Sequence, residues 1–371
     1  MYGGNIPFIQ TGDVTNSNGK ITTYSQTLNE EGLKVSKRFP RGTLFFTIAA
    51  NIGDVGVASF ETACPDSLVA ITPAKRTCQD WLAHELRRRK QSFENLASHN
   101  AQLNINLEKL RPYLLCAPPF PEQEAIAEAL SDADALIESL EHLLSKKRQV
   151  KQGAMQELLT GKKRLAGFSG EWEVKRLGEV GEVSGSGVDK KVSPDELPVR
   201  LVNYLDVYRR DFIYSENLDH WVSARPEKMR RCAVQKGDVF FTPSSETRDD
   251  IGISAVAMED IPDAAYSYHV VRLRLFQNWD LRFRAYAFKT KAFFDQAETL
   301  CDGSGTRYVI SLDKFRSIMV SVPSIEEQTA IATVLSDMDA EIEIIEAKLA
   351  KSRQIKQGMM QELLTGKTRL I

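Results

Sequence analysis

A stretch of 44 residues occurs twice in this chain at a constant offset of 205: Glu122 through Leu165 returns as Glu327 through Leu370, with 30 of the 44 aligned positions identical. Lys151-Gln152-Gly153-Ala154-Met155-Gln156-Glu157-Leu158-Leu159-Thr160-Gly161-Lys162 stands against Lys356-Gln357-Gly358-Met359-Met360-Gln361-Glu362-Leu363-Leu364-Thr365-Gly366-Lys367. The same offset continues upstream, pairing Leu107 with Leu312, Arg111 with Arg316 and Pro118 with Pro323. Further back, Gly42-Thr43-Leu44-Phe45-Phe46-Thr47 echoes Gly237-Asp238-Val239-Phe240-Phe241-Thr242 at an offset of 195. Solenoid repeats are about 20 to 50 residues long, so a unit this large is a whole domain followed by a helix. A length of 371 residues suits two domains, each able to bury its own core.

The repeated stretches read as long helices. Apolar residues fall at Ile126, Leu130, Ala133, Ile137, Leu140 and Leu144, and again at Ile331, Leu335, Met338, Ile342, Ile345 and Leu349. Both sets step 4-3-4-3-4, the seam of a coiled coil, so the two helices are expected to pack on each other. Pro121 and Pro323 mark the starts, and Thr160-Gly161 and Thr365-Gly366 the ends. Each helix then runs for roughly 39 residues, about 58 Å. Beyond Leu144 and Leu349 the heptad fails: polar Arg148, Lys151 and Gln152, with Arg353, Lys356 and Gln357, occupy or flank the seam. There the helices are expected either to diverge or to meet a partner. Gly153 and Gly358 cost about 1 kcal/mol each relative to Ala within a helix, and a close helix crossing is the expected reason for keeping them.

The remaining segments mix short β-branched and aromatic runs with Gly and Asp turns and one helical stretch each, around Trp81 to Arg89 and Leu281 to Phe294. The expected organisation is a globule at 1–117, a spacer helix at 118–165, a second globule at 166–321 and a second spacer helix at 322–371. The fold class is α+β: two mixed α/β domains separated by two long helices that form an antiparallel coiled coil, a pseudo-two-fold tandem repeat. One asymmetry stands out. The second globule opens with Glu171-Trp172-Glu173-Val174-Lys175-Arg176-Leu177-Gly178-Glu179-Val180, well before Leu197-Pro198-Val199, whereas the matching Ile6-Pro7-Phe8 lies close to Met1. Roughly 25 residues are missing by comparison. Either the chain is clipped or a partner supplies the piece.

Hydrophobic residues make up 42% and charged residues 26%, the balance of a globular protein. No run approaches about 18 apolar residues and no signal-peptide pattern opens the chain, so the expected location is cytoplasmic, with no membrane contact. The cysteines, Cys64, Cys78, Cys116, Cys232 and Cys301, are scattered and read as reduced, mostly buried thiols. Ala117-Pro118-Pro119-Phe120 superficially matches an amino-methyltransferase motif, but alanine cannot hold a target amino group, and no Gly-rich methyl-donor loop follows a strand. Gly366-Lys367-Thr368 matches the end of a phosphate-binding loop, but Gln361 stands where its first glycine belongs. His84, His99, His142, His220 and His269 have no metal-ligand spacing, so neither an enzyme nor a metal protein is indicated.

Pro119-x-x-Glu122-Gln123-x-x-Ile126-Ala127-x-x-Leu130-Ser131-Asp132-x-Asp134, repeated from Pro323-Ser324-Ile325-Glu326-Glu327-Gln328 to Asp339, resembles the two repeated regions of type I restriction–modification specificity subunits. The Gln-Glu-Leu-Leu-Thr-Gly tails at Gln156 and Gln361 complete the resemblance, which covers essentially the whole chain. It implies a non-catalytic subunit that binds double-stranded DNA and two adenine-methyltransferase subunits. The restriction translocase and nuclease subunits join in the full complex. No cofactor is implied for this chain; S-adenosylmethionine is expected in the partner methyltransferase. Two unlike globules related by a pseudo-two-fold suit a bipartite, non-palindromic target with a gap set by the helices. A coiled-coil scaffold that joins protein partners without reading DNA is the alternative, and the net charge of −2 favours it.

Bases are read by Arg, Asn or Gln, and phosphates by cations and hydroxyls. Two polar loops stand in corresponding positions ahead of the linkers, which makes Asn100, Gln102 and Asn104, and Thr306, Arg307 and Tyr308, the DNA-facing candidates. Asn51 and Arg248, which follow the matching strands, come next, and Arg209, Arg210, Arg230 and Arg231 are phosphate-contact candidates.

Overall fold

A computed structural model describes residues 1–99 and 103–370. The chain folds as two compact units, one made of Met1–Leu143 with Ile345–Ile371 and the other of Leu144–Ile344.

The first unit contains β1 (Tyr2–Phe8), α1 (Thr11–Thr15), β2 (Lys20–Ile21), β3 (Gln26–Leu28), α2 (Glu30–Leu33), β4 (Arg38–Phe39), β5 (Leu44–Thr47), β6 (Val55–Ala58), β7 (Thr62–Ala63), β8 (Leu68–Ile71), α3 (Gln79–Arg88), α4 (Lys90–Leu96), β9 (Ser98–His99), β10 (Leu103–Asn104) and α5 (Leu107–Leu110). Helix α6 (Phe120–Leu158) follows, and its residues up to Leu143 belong to this unit. The strands form two four-stranded sheets, ordered β3-β1-β7-β4 and β2-β6-β5-β8, and a β9-β10 hairpin. Strand β5 is buried along its whole length because both of its faces are covered. Leu44 and Phe46 meet Trp81, Leu82 and Phe93 of α3 and α4, while Phe45 enters a second cluster with Ile9, Val14 and Ile21.

The second unit repeats this order and adds to it. It contains β11 (Glu173–Arg176), α7 (Leu177–Val180), β12 (Gly181–Ser184), β13 (Leu197–Val202), α8 (Tyr204–Tyr208), β14 (Phe212–Ile213), β15 (Trp221–Ala224), α9 (Pro226–Cys232), β16 (Ala233–Val234), β17 (Val239–Phe241), β18 (Ser244–Ser245), β19 (Ser254–Ala257), β20 (Ile261–Tyr266), β21 (Val271–Leu275), α10 (Phe283–Ala287), α11 (Lys291–Leu300), β22 (Asp302–Ser304), β23 (Arg307–Val309), α12 (Leu312–Ser317) and β24 (Met319–Val322). Helix α13 (Ile325–Leu363) starts here. Its sheets are ordered β15-β13-β20-β16 and β12-β21-β17-β19-β14, beside smaller β18-β23-β22 and β11-β24 sheets. The stretch expected as one helix from Leu281 is two, α10 and α11, parted at Phe288 to Thr290, where the Thr290 hydroxyl caps α11 by accepting from the Phe293 amide.

Both long helices are 39 residues, and within each unit the segments present run antiparallel. In the first unit Glu122 is bound by Arg369, Asp134 by Lys356 and Glu141 by Arg353, so partner numbers fall as α6 advances. In the second, Lys147 reaches Glu341, Lys151 reaches Asp339 and Arg164 reaches Glu327. The helices therefore do not diverge where the heptad fails. The seam changes from apolar to ionic. Nor does a close crossing explain Gly153 and Gly358, because a Cβ at either would meet nothing within 4 Å.

Among the seam residues, Ile126, Leu130, Leu140, Leu144, Ile331, Leu335, Ile342, Ile345 and Leu349 are buried, and Ala133, Ile137 and Met338 are half-buried. Those nearest each helix start also enter the core of a globule: Ile126 and Leu130 join Trp81 and Leu86, with Leu363 and Leu364 of α13 and its tail beside them, and Ile331 and Leu335 join Phe283 and Phe288 with Leu158 and Leu159. All five thiols are free, but only Cys232 and Cys301 are buried, and Cys116 is exposed because it lies in the extended link just before α6.

Glu327 is 2% exposed and held by the Arg164 guanidinium through paired bonds of 2.5 and 2.6 Å. Arg164→Met should lower the unfolding free energy of the second unit by about 3 kcal/mol in urea denaturation, while adding Glu327→Leu restores most of it. In the first unit, His84 is pushed down to about 4 by burial and by the Arg87 and Lys356 charges, against Asp134. Protonation is therefore resisted in the folded state, and stability falls as pH drops from about 6.5 to 4, by up to about 3 kcal/mol. His84→Phe should flatten that slope relative to the unaltered chain in denaturation series at pH 7, 5.5 and 4.5.

Candidate nucleic-acid interface

In the second unit, β22 and β23 pair Asp302 with Val309, Gly303 with Tyr308 and Ser304 with Arg307, leaving Gly305 and Thr306 at the tip. Gly303 has φ of 136°, and a Cβ there would lie 2.1 Å from the Arg307 carbonyl oxygen, so the hairpin closes only with glycine. Strand β18 adds to the other edge of β23, setting Ser244 opposite Val309 and Ser245 opposite Tyr308.

This small sheet assembles several of the expected residues. Arg307 and Thr306 are exposed, and an Arg307 Nη2–H donates to Ser244 Oγ at 3.4 Å. The Arg248 guanidinium, also exposed, lies 4.9 Å from the centre of the Tyr308 ring. Close by, the Tyr208 hydroxyl donates to Asp250 Oδ2 at 2.7 Å, and Tyr208 stacks on Tyr204 with ring centres 5.8 Å apart. His269 is pushed below its ordinary value by burial, then by the charges of Lys190 and Arg307. Tyr268 sits against His269 with ring centres 3.9 Å apart and is itself 48% exposed. The result is a surface with guanidinium forks, an ammonium and aromatic rings, the groups that grip phosphates, read guanine edges and stack on exposed rings.

The other expected cations divide. Arg209 caps the end of α8 and is exposed, next to Tyr208. Arg210 is tied to Asp206 at 2.8 Å. Arg230 and Arg231 stand on α9, which packs on β20, and no described contact joins them to the hairpin cluster. Sequence reasoning missed Lys190, Tyr208, Tyr268 and His269. The polar run Ser184-Gly185-Ser186-Gly187 ahead of Lys190-Lys191 was the available signal.

The first unit carries the same hairpin with different chemistry. Asn104 of β10 is exposed, pairs with Ser98 and bridges to Ala49. Asn100 and Gln102 lie outside the described residues. Asn51 is exposed and follows Ala50, whose φ of 60° is left-handed and costs roughly 1–2 kcal/mol. Its side-chain amide donates to Thr15 Oγ1 at 3.2 Å, Thr15 donates to Asp54 Oδ2 at 2.7 Å, and Lys90 pairs with Asp54. An amide held in a fixed direction can address an adenine edge. Among the described residues, no group of three His, Cys, Asp or Glu is placed to hold a metal ion.

A family model described as the type I restriction modification DNA specificity domain matches residues 2–147 and 169–352. The specificity subunit of the type I restriction enzyme MjaVIII of Methanocaldococcus jannaschii is 27% identical over 267 residues, or 68% of this chain. That alignment spans 61% of the relative's length. Among solved structures, the S subunit of a type I restriction–modification system from M. genitalium superposes on 97% of this chain and 88% of its own, with a TM-score of 0.56 at 17% identity. A chain from a structure addressing complex assembly and conformational transition of the type I system covers 98% and 91%, with a TM-score of 0.57 at 14% identity. At these identities the structural likeness is one of fold. Because the family model matches most of the chain, in two segments, the chain belongs to the type I restriction–modification DNA specificity domain family.

Proposed function

We propose that this chain is the non-catalytic, cytoplasmic subunit that reads DNA sequence for a type I restriction–modification complex. Each unit reads its own short element, so the target is bipartite and non-palindromic. One observation carries the reading: the same hairpin is set on the same frame in both units but presents Arg307, Tyr308 and Arg248 in one and Asn104 and Asn51 in the other. A scaffold for a single partner has no use for two different heads. The net charge of −2 does not oppose DNA binding, because cations gathered at one hairpin act locally whatever the rest of the surface carries.

Docking of two adenine-methyltransferase subunits is supported by the helices. Lys146, Gln149, Val150, Gly153 and Glu157 form one exposed stripe, and Lys351, Gln354, Ile355, Gly358 and Glu362 repeat it. Keeping a helix-weakening glycine in open space, twice, is accounted for by a partner that approaches the backbone closely there. S-adenosylmethionine would be held by that partner, and the restriction subunits would join through it.

Arg307→Ala should cost about 1–3 kcal/mol in binding and relax selection at one half-site, with the other unchanged, in methylation-site sequencing. Equal loss at both half-sites, or no sequence preference in the unaltered complex, would favour the scaffold. Gly153→Arg alone should leave one methyltransferase per chain by native mass spectrometry, and Gly153→Arg with Gly358→Arg none; two bound to either variant would remove the stripe from docking.

A further inference from the structure

In both units the loop beside the hairpin hangs from one buried threonine. The Thr47 hydroxyl oxygen accepts from the Asp54 amide at 2.9 Å, and its carbonyl accepts from the Gly53 amide at 3.0 Å. Thr242 does the same with the Ile253 amide at 3.0 Å and the Gly252 amide at 2.9 Å. The loop so held spans 48–52 in the first unit and 243–251 in the second, and its chemistry differs. In the second, Arg248 is aimed by the Tyr308 ring beneath it. In the first, Ala49 bridges to Asn104 of the hairpin, and exposed Asn51 stands two residues on. The Thr47 hydroxyl donates to the Asn51 carbonyl, which ties the backbone of this residue to the buried strand.

The side chain of Asn51 is aimed by hydrogen bonds. The Asp54 carboxylate, paired with Lys90, can only accept, so the Thr15 hydroxyl gives it its single proton, at 2.7 Å. The Thr15 oxygen is left as an acceptor, and the end of the Asn51 amide that faces it, at 3.2 Å, must be an N–H. Turned over, the amide would set two acceptor oxygens face to face. Asn51 therefore keeps Oδ1 and its second N–H for a ligand, in a fixed order. Lys90 also offsets the charge of Asp54, so a carboxylate can stand behind the amide without repelling phosphates.

We propose that Asn51 selects one A·T pair in the half-site read by the first unit, and that Thr15 and Asp54 are positioning residues that decide which end of its amide meets the base. Oδ1 accepts from adenine N6 and the free N–H donates to adenine N7. Of the four bases only adenine shows a donor beside a ring acceptor on its major-groove edge, so a fork of one acceptor and one donor in fixed order matches it alone. The inference rests on the DNA-reading proposal and deepens it by naming a base, the residue that selects it and the chain of bonds that aims that residue.

The test uses the full chain in complex with its methyltransferase subunits, whose target is first read by methylation-site sequencing. Duplexes of that target, with 7-deazaadenine in place of one adenine at a time, lose N7 but keep Watson–Crick pairing, and are compared by competition binding. One such replacement, in one half-site only, should weaken the unaltered complex about tenfold and leave Asn51→Ala unaffected. Thr15→Val should lose most of that sensitivity and Thr15→Ser keep it, with selection at the other half-site unchanged in all of them. A merely structural effect would weaken binding to every duplex alike. If no target can be read for the unaltered complex, the DNA-reading proposal falls and this inference with it. If a target is read but the unaltered complex and Asn51→Ala respond alike to every replacement, the Asn51 assignment alone is overturned. Sensitivity lost in Asn51→Ala but kept in Thr15→Val would overturn the positioning role.

Discussion

Each unit is closed by one ion pair made twice. Arg369, in the tail beyond α13, binds Glu122 at the start of α6 in the first unit, and Arg164, in the tail beyond α6, binds Glu327 at the start of α13 in the second. Both carboxylates are buried and lie in the first turn of their helix, where the exposed amides and the helix dipole favour negative charge. The bond from Arg369 holds the Glu122 carboxyl below its usual range. A buried carboxylate stripped of its guanidinium loses the charge that offsets its desolvation, even where, as at Glu327, the Trp172 indole N–H still donates to it at 3.0 Å. This accounts for repeats that stay alike over the helices and tails while the globules diverge: every unit is assembled from the start of one helix and the end of the other, and both joints use the same chemistry.

The globules divide their residues between frame and surface. Phe45 and Phe46, or Phe240 and Phe241, hold the central strand against helices on one side and a second sheet on the other. Such positions are set by volume and cannot change cheaply. The hairpins are tied to this frame through Ala49 and Asn104 in one unit and Ser244 and Val309 in the other, while Asn104, Thr306 and Arg307 are exposed. Their identities are free to vary, which suits a reader whose two halves answer to different bases.

Much of this was legible because it is periodic or repeated. The 4-3-4-3-4 seam fixed the helices and their mutual packing, and the offset of 205 fixed the duplication. What stayed hidden was chemistry between residues far apart in the chain. Lys151 and Lys356 looked like breaks in the seam, because a spacing rule cannot see Asp339 and Asp134 waiting on the facing helix. Gly153 suggested a crossing, since sequence alone does not say which side of a helix faces open space. The cluster of Lys190, His269, Arg248 and Arg307 draws on four separate segments, brought together only by the sheets behind them. The cysteines misled for a related reason: Cys116 lies in an exposed link before α6, at a position that in the other unit falls within the paired strand β24.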